Sequence, residues 1–276
     1  EIFTPPPGNP KVAASYLGNG KNQLHMAFDF SLIFQRWNAL HYYQAIENWY
    51  NQIPKKGWPS FVFSNHDLFR SKNRLGVGKY KEEKAKITAI LLLTLKGTPF
   101  IYYGEELGME NIKLAKSDIV DPLGKKYWPL FAGRDMARSP MQWTDDRYAG
   151  FSTEQPWLPV HRNFETVNLK NLEAESDSIL NLYKKLIALR REYPSLSMGE
   201  WKPMVKGENG LISYYRIYKN RKIQVILNFT GQKKAYKNGK EVFWKTLLST
   251  KRDIQKDVDF DSFEILPFEG IILKLL

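Results

Sequence analysis

Asn65, His66 and Asp67 stand together after an apolar segment, and their side chains could hydrogen-bond a ligand. Residues 61–63 (Phe-Val-Phe) predict a short buried strand. A parallel barrel presents polar groups to a ligand at the C-terminal ends of its strands, which is where these three residues fall. Asn and Asp also favour turns, so the same tripeptide could simply cap the next element. The tripeptide alone leaves both interpretations open.

Two further runs set this tripeptide in a wider pattern. The three runs are Asn65-His66-Asp67-Leu68-Phe69-Arg70 with Arg74 four residues on, Gly97-Thr98-Pro99-Phe100-Ile101-Tyr102-Tyr103-Gly104-Glu105-Glu106, and Gly133-Arg134-Asp135-Met136-Ala137-Arg138-Ser139-Pro140-Met141-Gln142-Trp143. In that order and spacing they closely resemble glycoside hydrolase family 13, the α-amylase family. Within it they are similar to the α-glucosidase and oligo-1,6-glucosidase branch.

The resemblance implies retaining glycosidase chemistry, which needs a nucleophile and a general acid on two carboxyl groups about 5 to 5.5 Å apart. Glu1 occupies the position of the general acid and base, and Asp67 that of a third carboxylate, which stabilises the transition state. His66, Arg70 and Arg74 match positions that bind or shape the sugar. Without its preceding strand, Glu1 in the isolated fragment is better described as a frayed terminus, whereas in an intact parent protein we expect the catalytic role. The expected ligand is a short α-gluco-oligosaccharide.

The long segment 104–176 is irregular, and a loop of that length in a compact domain is usually functional. We expect its Arg134, Asp135 and Arg138 to bind substrate at the rim of the sugar site. For Arg134 and Arg138 an internal network of Arg–Asp ion pairs that shapes the loop is an equal alternative. His25 and Asp29 fall on no family motif, and we expect structural roles for both.

The resemblance places the nucleophile in a Gly-x-Arg-x-Asp segment upstream of the general acid, and no such segment occurs in these 276 residues. The chain begins with Glu1 and a proline-rich run, so we expect it to start inside a longer protein whose N-terminal half of the barrel is missing here. We therefore expect the chain alone to be inactive. No acidic run has the spacing of a calcium loop, so no metal and no cofactor is expected.

Strand-like and helical segments alternate through 61–67, 79–96 and 98–103, which indicates a parallel α/β sheet. Residues 24–30 are the expected sixth barrel strand, and helices are expected at 37–50 and from Ser176 to near Pro194. Short alternating strands at 211–218, 222–229, 241–247 and 263–275 indicate antiparallel pairing. The predicted fold class is the C-terminal half of a (β/α)8 TIM barrel, residues 1–197, followed by an all-β sandwich domain, residues 198–276.

The composition excludes several other classes. Zero Cys rules out disulfides and cysteine metal sites and favours a reducing compartment, and we expect a cytoplasmic protein. No apolar run reaches the roughly 18 residues that cross a bilayer. The net charge of +12 is dispersed among acids, as in residues 79–86, so nucleic-acid binding is not expected. A transglucosylase or isomerase of the trehalose synthase or sucrose isomerase kind, and a non-catalytic truncated family member, remain alternatives.

Overall fold

The computed structural model describes residues 8–19, 21–76, 78–237, 243–252, 258–259 and 262–276. The chain divides into two compact units. The first comprises the described parts of residues 1–62, 86–100 and 185–276, and the second comprises those of 63–85 and 101–184. Among the described residues no helix is long and apolar enough to cross a membrane.

The barrel part of the first unit is built on two parallel strands. Strand β1 (Ser60–Val62) pairs with β2 (Thr98–Phe100) in parallel, so that Phe61 lies opposite Pro99. The helices of this unit are α1 (Pro10–Ser15), α2 (Ala39–Gln52), α8 (Pro194–Ser197) and the 3-10 turns Ser31–Phe34 and Glu208–Gly210. Two helices are divided between the units, α4 (Lys81–Thr94) and α7 (Ile179–Glu192).

Helix α2 begins where Asn38 caps it, because the Asn38 side chain accepts a hydrogen bond from the N–H of His41 at 3.2 Å. The fully buried Trp49 of this helix donates its indole N–H to the carbonyl oxygen of Ser60 at 3.0 Å. Ser60 in turn donates its hydroxyl to the carbonyl oxygen of Ala27 at 2.9 Å. The helix, strand β1 and the segment around Ala27 are thus joined by buried hydrogen bonds as well as by apolar packing.

The guanidinium of Arg190 on α7 collects the carbonyl oxygens at the end of helix α4. It donates to Leu93 and Leu95 at 2.8 and 3.1 Å and also to Gly97, which lie at or just after the end of α4, and it donates to Leu196 on α8 at 2.9 Å. The last carbonyls of a helix have no partner within the helix, and a cation there also offsets the negative end of the helix dipole. Arg190 therefore closes α4 just before strand β2 begins.

The C-terminal strands form two antiparallel sheets. The six-stranded sheet has the order β3-β4-β5-β10-β7-β8, and β6 pairs with β9. Their bounds are β3 (Glu200–Lys206), β4 (Leu211–Tyr218), β5 (Arg221–Asn228), β6 (Lys234–Lys237), β7 (Phe243–Ser249), β8 (Val258–Asp259), β9 (Ser262–Ile265) and β10 (Gly270–Leu275). Tyr236 and Ile265 from the small sheet pack on Ile226, Trp244 and Ile271 from the large one. This face-to-face packing makes a sandwich.

Several predicted elements need correction. Residues 24–30 form no paired strand, because the neighbouring β1 reaches them through the Ser60 hydroxyl rather than through a backbone ladder. The predicted strand 263–275 is two strands, β9 and β10, separated by a turn in which Phe268 has a φ of 50°. Strands β3, β6 and β8 were not predicted. The domain limits 1–197 and 198–276 stay predictions.

The second unit carries little regular structure. Its helices are α3 (Ser71–Arg74), α5 (Pro122–Tyr127), α6 (Leu169–Ala174) and the 3-10 turns Lys116–Asp118, Asp135–Ala137 and Arg147–Gly150. Two apolar clusters hold it together. Leu107, Met109, Met141 and Leu180 form one, and Ile112, Leu114, Ile119 and Leu158 form the other. The predicted long loop 104–176 thus has its own small cores.

Candidate active site

The tripeptide of interest lies in a loop that follows strand β1. The side-chain oxygen of Asn65 accepts hydrogen bonds from the backbone N–H groups of Asp67 and Leu68, both at 3.0 Å. An Asn side chain that bonds the backbone two residues on makes a tight turn. The turn predicted for the tripeptide is therefore present, and it presents His66 and Asp67 at its tip. The turn and the ligand-binding interpretation are compatible.

Asp67 is the centre of a charged cluster. Arg138 donates to its Oδ1 atom at 3.0 Å, Arg134 donates to the same atom at 3.4 Å, and Nε2 of His66 lies 3.5 Å away. The Asp67 side chain is 39% exposed. Within the part of the chain that the structure describes, no hydrogen bond reaches its Oδ2 atom. One carboxylate oxygen is thus held by two cations while the other stays available to a ligand.

Both arginines are themselves fixed by further partners. Arg138 donates through Nε to the carbonyl oxygen of His66 at 2.9 Å, so it holds the turn as well as the carboxylate. Arg134 donates to Asp121 through Nε at 3.0 Å, through Nη2 at 3.1 Å and through its backbone N–H at 2.8 Å. These hydrogen bonds lower the pKa of Asp121 to about 2. The alternative of an Arg–Asp network is therefore observed, and its centre is Asp67.

Asp135 completes the support on the other side of Asp121. Its Oδ2 atom accepts hydrogen bonds from the backbone N–H groups of Val120 and Asp121 at 2.7 and 2.6 Å. The chain passes between these segments at Gly133, where φ is +79° and an added Cβ would lie 2.8 Å from the Asp121 carboxylate. Only glycine adopts this conformation at little cost and leaves the room that the carboxylate needs.

The structure brings together His66, Asp67, Arg134 and Arg138, whereas two other predicted substrate-binding residues lie elsewhere. Arg70 is only 2% exposed, and it donates to the carbonyl oxygen of Tyr103 at 2.6 Å with its guanidinium over the Tyr102 and Tyr103 rings. Asp135 is 1% exposed and accepts hydrogen bonds from the backbone N–H groups described above. A sugar contact by either would require a different side-chain position.

Arg74 and Glu1 complete the predicted set. Arg74 donates through Nε to the carbonyl oxygen of Phe69 at 3.0 Å and also to that of Phe63, so it braces the base of the loop. Glu1 lies outside the described residues. The catalytic and substrate-binding roles of all these residues stay predictions.

Two carboxyl groups near this site were not singled out by the sequence. Asp121 has no motif around it, and only the fold brings it to Arg134. Glu105 lies in the Gly104-Glu105-Glu106 run, and its place in that run was the available sequence signal. The structure buries its side chain. Burial raises the pKa of Glu105 to about 7 against the opposing effect of its hydrogen bonds. Among the described residues no group of three His, Asp or Glu side chains could hold a metal ion.

Of the two residues expected to have structural roles, Asp29 is buried and His25 is exposed. Asp29 is buried and accepts hydrogen bonds from the hydroxyl and the backbone N–H of Ser31 at 2.7 and 3.3 Å, so its structural role is confirmed. These bonds satisfy the carboxylate locally. His25 is exposed, and its role stays a prediction.

Comparison with known proteins places this geometry in a family. Residues 7–199 match the model described as "Alpha amylase, catalytic domain". The chain is 28% identical to an oligo-1,6-glucosidase of Parageobacillus thermoglucosidasius, over 96% of this chain and 53% of the relative. It is 30% identical to an oligo-1,6-glucosidase of Bacillus cereus, over 95% of this chain and 53% of the relative. The chain thus spans about half the length of the curated relatives it matches.

A solved structure agrees with these matches. The crystal structure of the trehalulose synthase MutB from Pseudomonas mesoacidophila MX-45 superposes with a TM-score of 0.84 at 26% identity, and it covers 97% of this chain and 54% of that one. The parallel β1–β2 pair, the antiparallel sheets and these matches confirm the predicted fold class, part of a (β/α)8 barrel followed by an all-β sandwich. The chain belongs to the α-amylase catalytic-domain family.

Proposed function

We propose that this chain forms part of a retaining α-glucosidase that hydrolyses α-glucosidic bonds of short oligosaccharides or disaccharides. The observation that carries the proposal is the Asp67 carboxylate, which two arginines hold through Oδ1 while Oδ2 stays open. The oligo-1,6-glucosidase relatives support this choice of reaction.

In this proposal Asp67 binds sugar hydroxyls and stabilises the positive charge that develops on the sugar ring in the transition state. A fixed negative charge serves this purpose because it needs no reorganisation while the bond breaks. Arg134 and Arg138 hold the carboxylate in its orientation, and the neighbouring His66 donates to a hydroxyl. Glu1 is the proposed general acid and base. The nucleophile belongs to a segment that these 276 residues do not contain, so the chain alone is proposed to be inactive.

The test compares Asp67→Asn with Asp145→Asn in the complete gene product that carries this chain. Asp145 is an exposed residue of the same unit, and its carboxylate is paired with Lys170 at 2.8 Å. With isomaltose and maltose as substrates, we expect D67N to lower kcat/KM by about a hundredfold or more, as for the loss of a preorganised charge. D145N should stay within about twofold of the parent protein by the same argument. A D67N protein whose kcat/KM stays within about tenfold of the parent would refute the assignment.

A transglucosylase or isomerase is the second candidate, and the likeness to trehalulose synthase favours it. The same residues would serve, with water excluded from the glycosyl intermediate so that a sugar hydroxyl attacks instead. Product analysis on sucrose separates the two. Glucose and fructose indicate hydrolysis, whereas an isomeric disaccharide indicates transfer.

A further inference from the structure

A buried carboxyl group, Glu105, lies beneath the loop that carries His66 and Asp67. One of its oxygens accepts a hydrogen bond from the Ser64 hydroxyl at 3.1 Å, and the other accepts from the backbone N–H of Tyr102 at 3.3 Å. Glu105 therefore connects the residue that precedes the tripeptide with the chain that follows strand β2. It is itself too deep to reach a ligand in the Asp67 cluster, since it is only 8% exposed.

The Ser64 hydroxyl closes the base of the loop. It donates to Glu105 and accepts from the backbone N–H of Ser71 at 3.0 Å. Residues 64 and 71 are thus joined through one oxygen atom, and the turn with His66 and Asp67 projects between them. The Ser64 hydroxyl has one hydrogen. When that hydrogen points to Glu105, the lone pairs of the oxygen face the backbone N–H of Ser71. An amide at residue 105 has one oxygen acceptor for two donors, the Ser64 hydroxyl and the Tyr102 N–H, so it weakens the hold on the Ser64 hydrogen and loosens the Ser71 contact.

A second clamp lies at the far side of the same loop and does not involve Glu105. The side chain of Asn111 accepts from the backbone N–H of Arg70 at 2.9 Å, and that of Asn73 accepts from the N–H of Asn111 at 2.7 Å. This clamp keeps the loop attached when the first is lost. Loss of Glu105 should therefore shift the tip of the loop rather than unfold it.

We propose that Glu105 is a positioning residue that, through the Ser64 hydroxyl, holds His66 and Asp67 in register with Arg134 and Arg138. The expected loss of activity rests on the proposed function, whereas the expected loosening of the loop rests on the geometry alone. A misplacement of about 1 Å at a reacting group costs about a hundredfold in rate, so a remote support can matter as much as a contact.

The charges that face Glu105 determine how its effect varies with pH. Burial opposes the ionised carboxylate and raises its pKa, while hydrogen bonds from the Tyr102 backbone, Ser71 and Ser64 and the cation of Arg74 favour it. The ring of Tyr183 on α7 lies within electrostatic range of both Glu105 and the neighbouring Glu106. A charged acceptor makes a stronger hydrogen bond than a neutral one. Ser64 is therefore held more firmly when Glu105 is ionised.

The experiment uses Glu105→Gln, Ser64→Ala, their combination and the control Glu110→Gln in the complete gene product. Glu110 is on the same segment, and its half-buried carboxylate pairs with Lys81 at 2.8 Å. Hydrogen exchange of residues 65–71 is compared with that of residues 179–184 in the same unit. We expect E105Q and S64A each to speed exchange of the loop about tenfold, with the reference peptide and E110Q unchanged, since the loss of one buried hydrogen bond is worth about that factor.

Kinetics add a readout that a merely structural role would not move. We expect E105Q to lower kcat/KM by roughly tenfold to a hundredfold. We also expect this variant to lack the change of kcat/KM with pH that follows the ionisation of Glu105. The combined variant should be no worse than the poorer single one, because both break the same connection. Additive losses, or loop exchange equal to that of E110Q, would overturn the proposal.

The two proposals fail in distinguishable ways. Absence of glycosidase activity in the parent protein would defeat the proposed function, whereas the exchange of residues 65–71 would still test the positioning role. If E105Q also speeds exchange in residues 179–184, the unit has unfolded in that variant. The exchange of residues 65–71 in S64A, which keeps the Glu105 carboxylate, then decides the result.

Discussion

Replacing Glu105 by Gln should change how the free energy of unfolding depends on pH. Burial raises the pKa of this carboxyl from 4.5 to about 7 in the folded protein. Between these two pH values the unfolded chain releases a proton that the folded protein keeps. Each pH unit in that interval lowers the free energy of unfolding by about 1.4 kcal/mol. The stabilisation is complete below pH 4.5 and is lost as the pH rises to about 7, a change of about 3 kcal/mol.

The Gln variant carries no ionisable group, so it should lack this decline. At pH 4.5 we expect E105Q to be less stable than the parent by about 1 kcal/mol, because one amide oxygen cannot replace two carboxylate acceptors. At pH 8 the order should reverse, with E105Q more stable by about 2 kcal/mol.

Urea unfolding followed by tryptophan fluorescence between pH 4.5 and pH 8 measures this difference. Trp128, Trp143 and Trp157 lie in the same unit as Glu105 and report on it. The control is Glu154→Gln, the same chemical change at an exposed residue of that unit. If the difference between E105Q and the parent changes by less than about 1 kcal/mol across this range, the argument from burial is wrong.

Three other substitutions test separate parts of the structure. Gly133→Ala should cost about 1 to 3 kcal/mol, since φ is +79° there and the new Cβ would press on the Asp121 carboxylate; urea unfolding measures this loss, and a neutral effect would contradict it. Arg190→Met leaves three carbonyl oxygens around the end of α4 and that of Leu196 on α8 without their donor and should cost about 3 kcal/mol or more, with Arg191→Met as the exposed control. Asp121→Asn should speed proteolysis of residues 119–137 at pH 7. The free energy of unfolding of this variant should approach that of the parent as the pH falls from 3.8 through about 2, because Arg134 stabilises only the ionised form of Asp121. Equal proteolysis at pH 7 would show that this ion pair does not hold the loop.

Elements of both the barrel part and the sandwich could be predicted where they carry local signals. Helix α2 was expected at 37–50 and runs from Ala39 to Gln52, where Asn38 supplies the cap. Strand β4 was predicted with its observed bounds, since residues 211–218 combine apolar and β-branched residues and end at a two-residue turn. Periodicity and turn residues act within a few positions of the chain, so a sequence reveals them directly.

Other elements depend on partners far away in the chain. Residues 24–30 are as apolar as a strand, yet β1 contacts them through the Ser60 side chain rather than through a ladder. Strand β3 alternates exposed and half-buried positions and contains Pro203, which weakened its signal. A strand exists only where a neighbour pairs with it, and no local pattern contains that neighbour.

The sequence by itself determined the family motifs, the turn at Asn65 and the gathering of polar residues after strand β1. Only the tertiary structure decided which of those residues meet. Arg134 and Arg138 converge on Asp67, whereas Arg70 and Asp135 are buried as supports. Burial and charge pairing arise between segments tens of residues apart, such as Asp67 with Arg134 or Ser64 with Glu105. The roles of such side chains follow from three-dimensional proximity, which spacing along the chain does not contain.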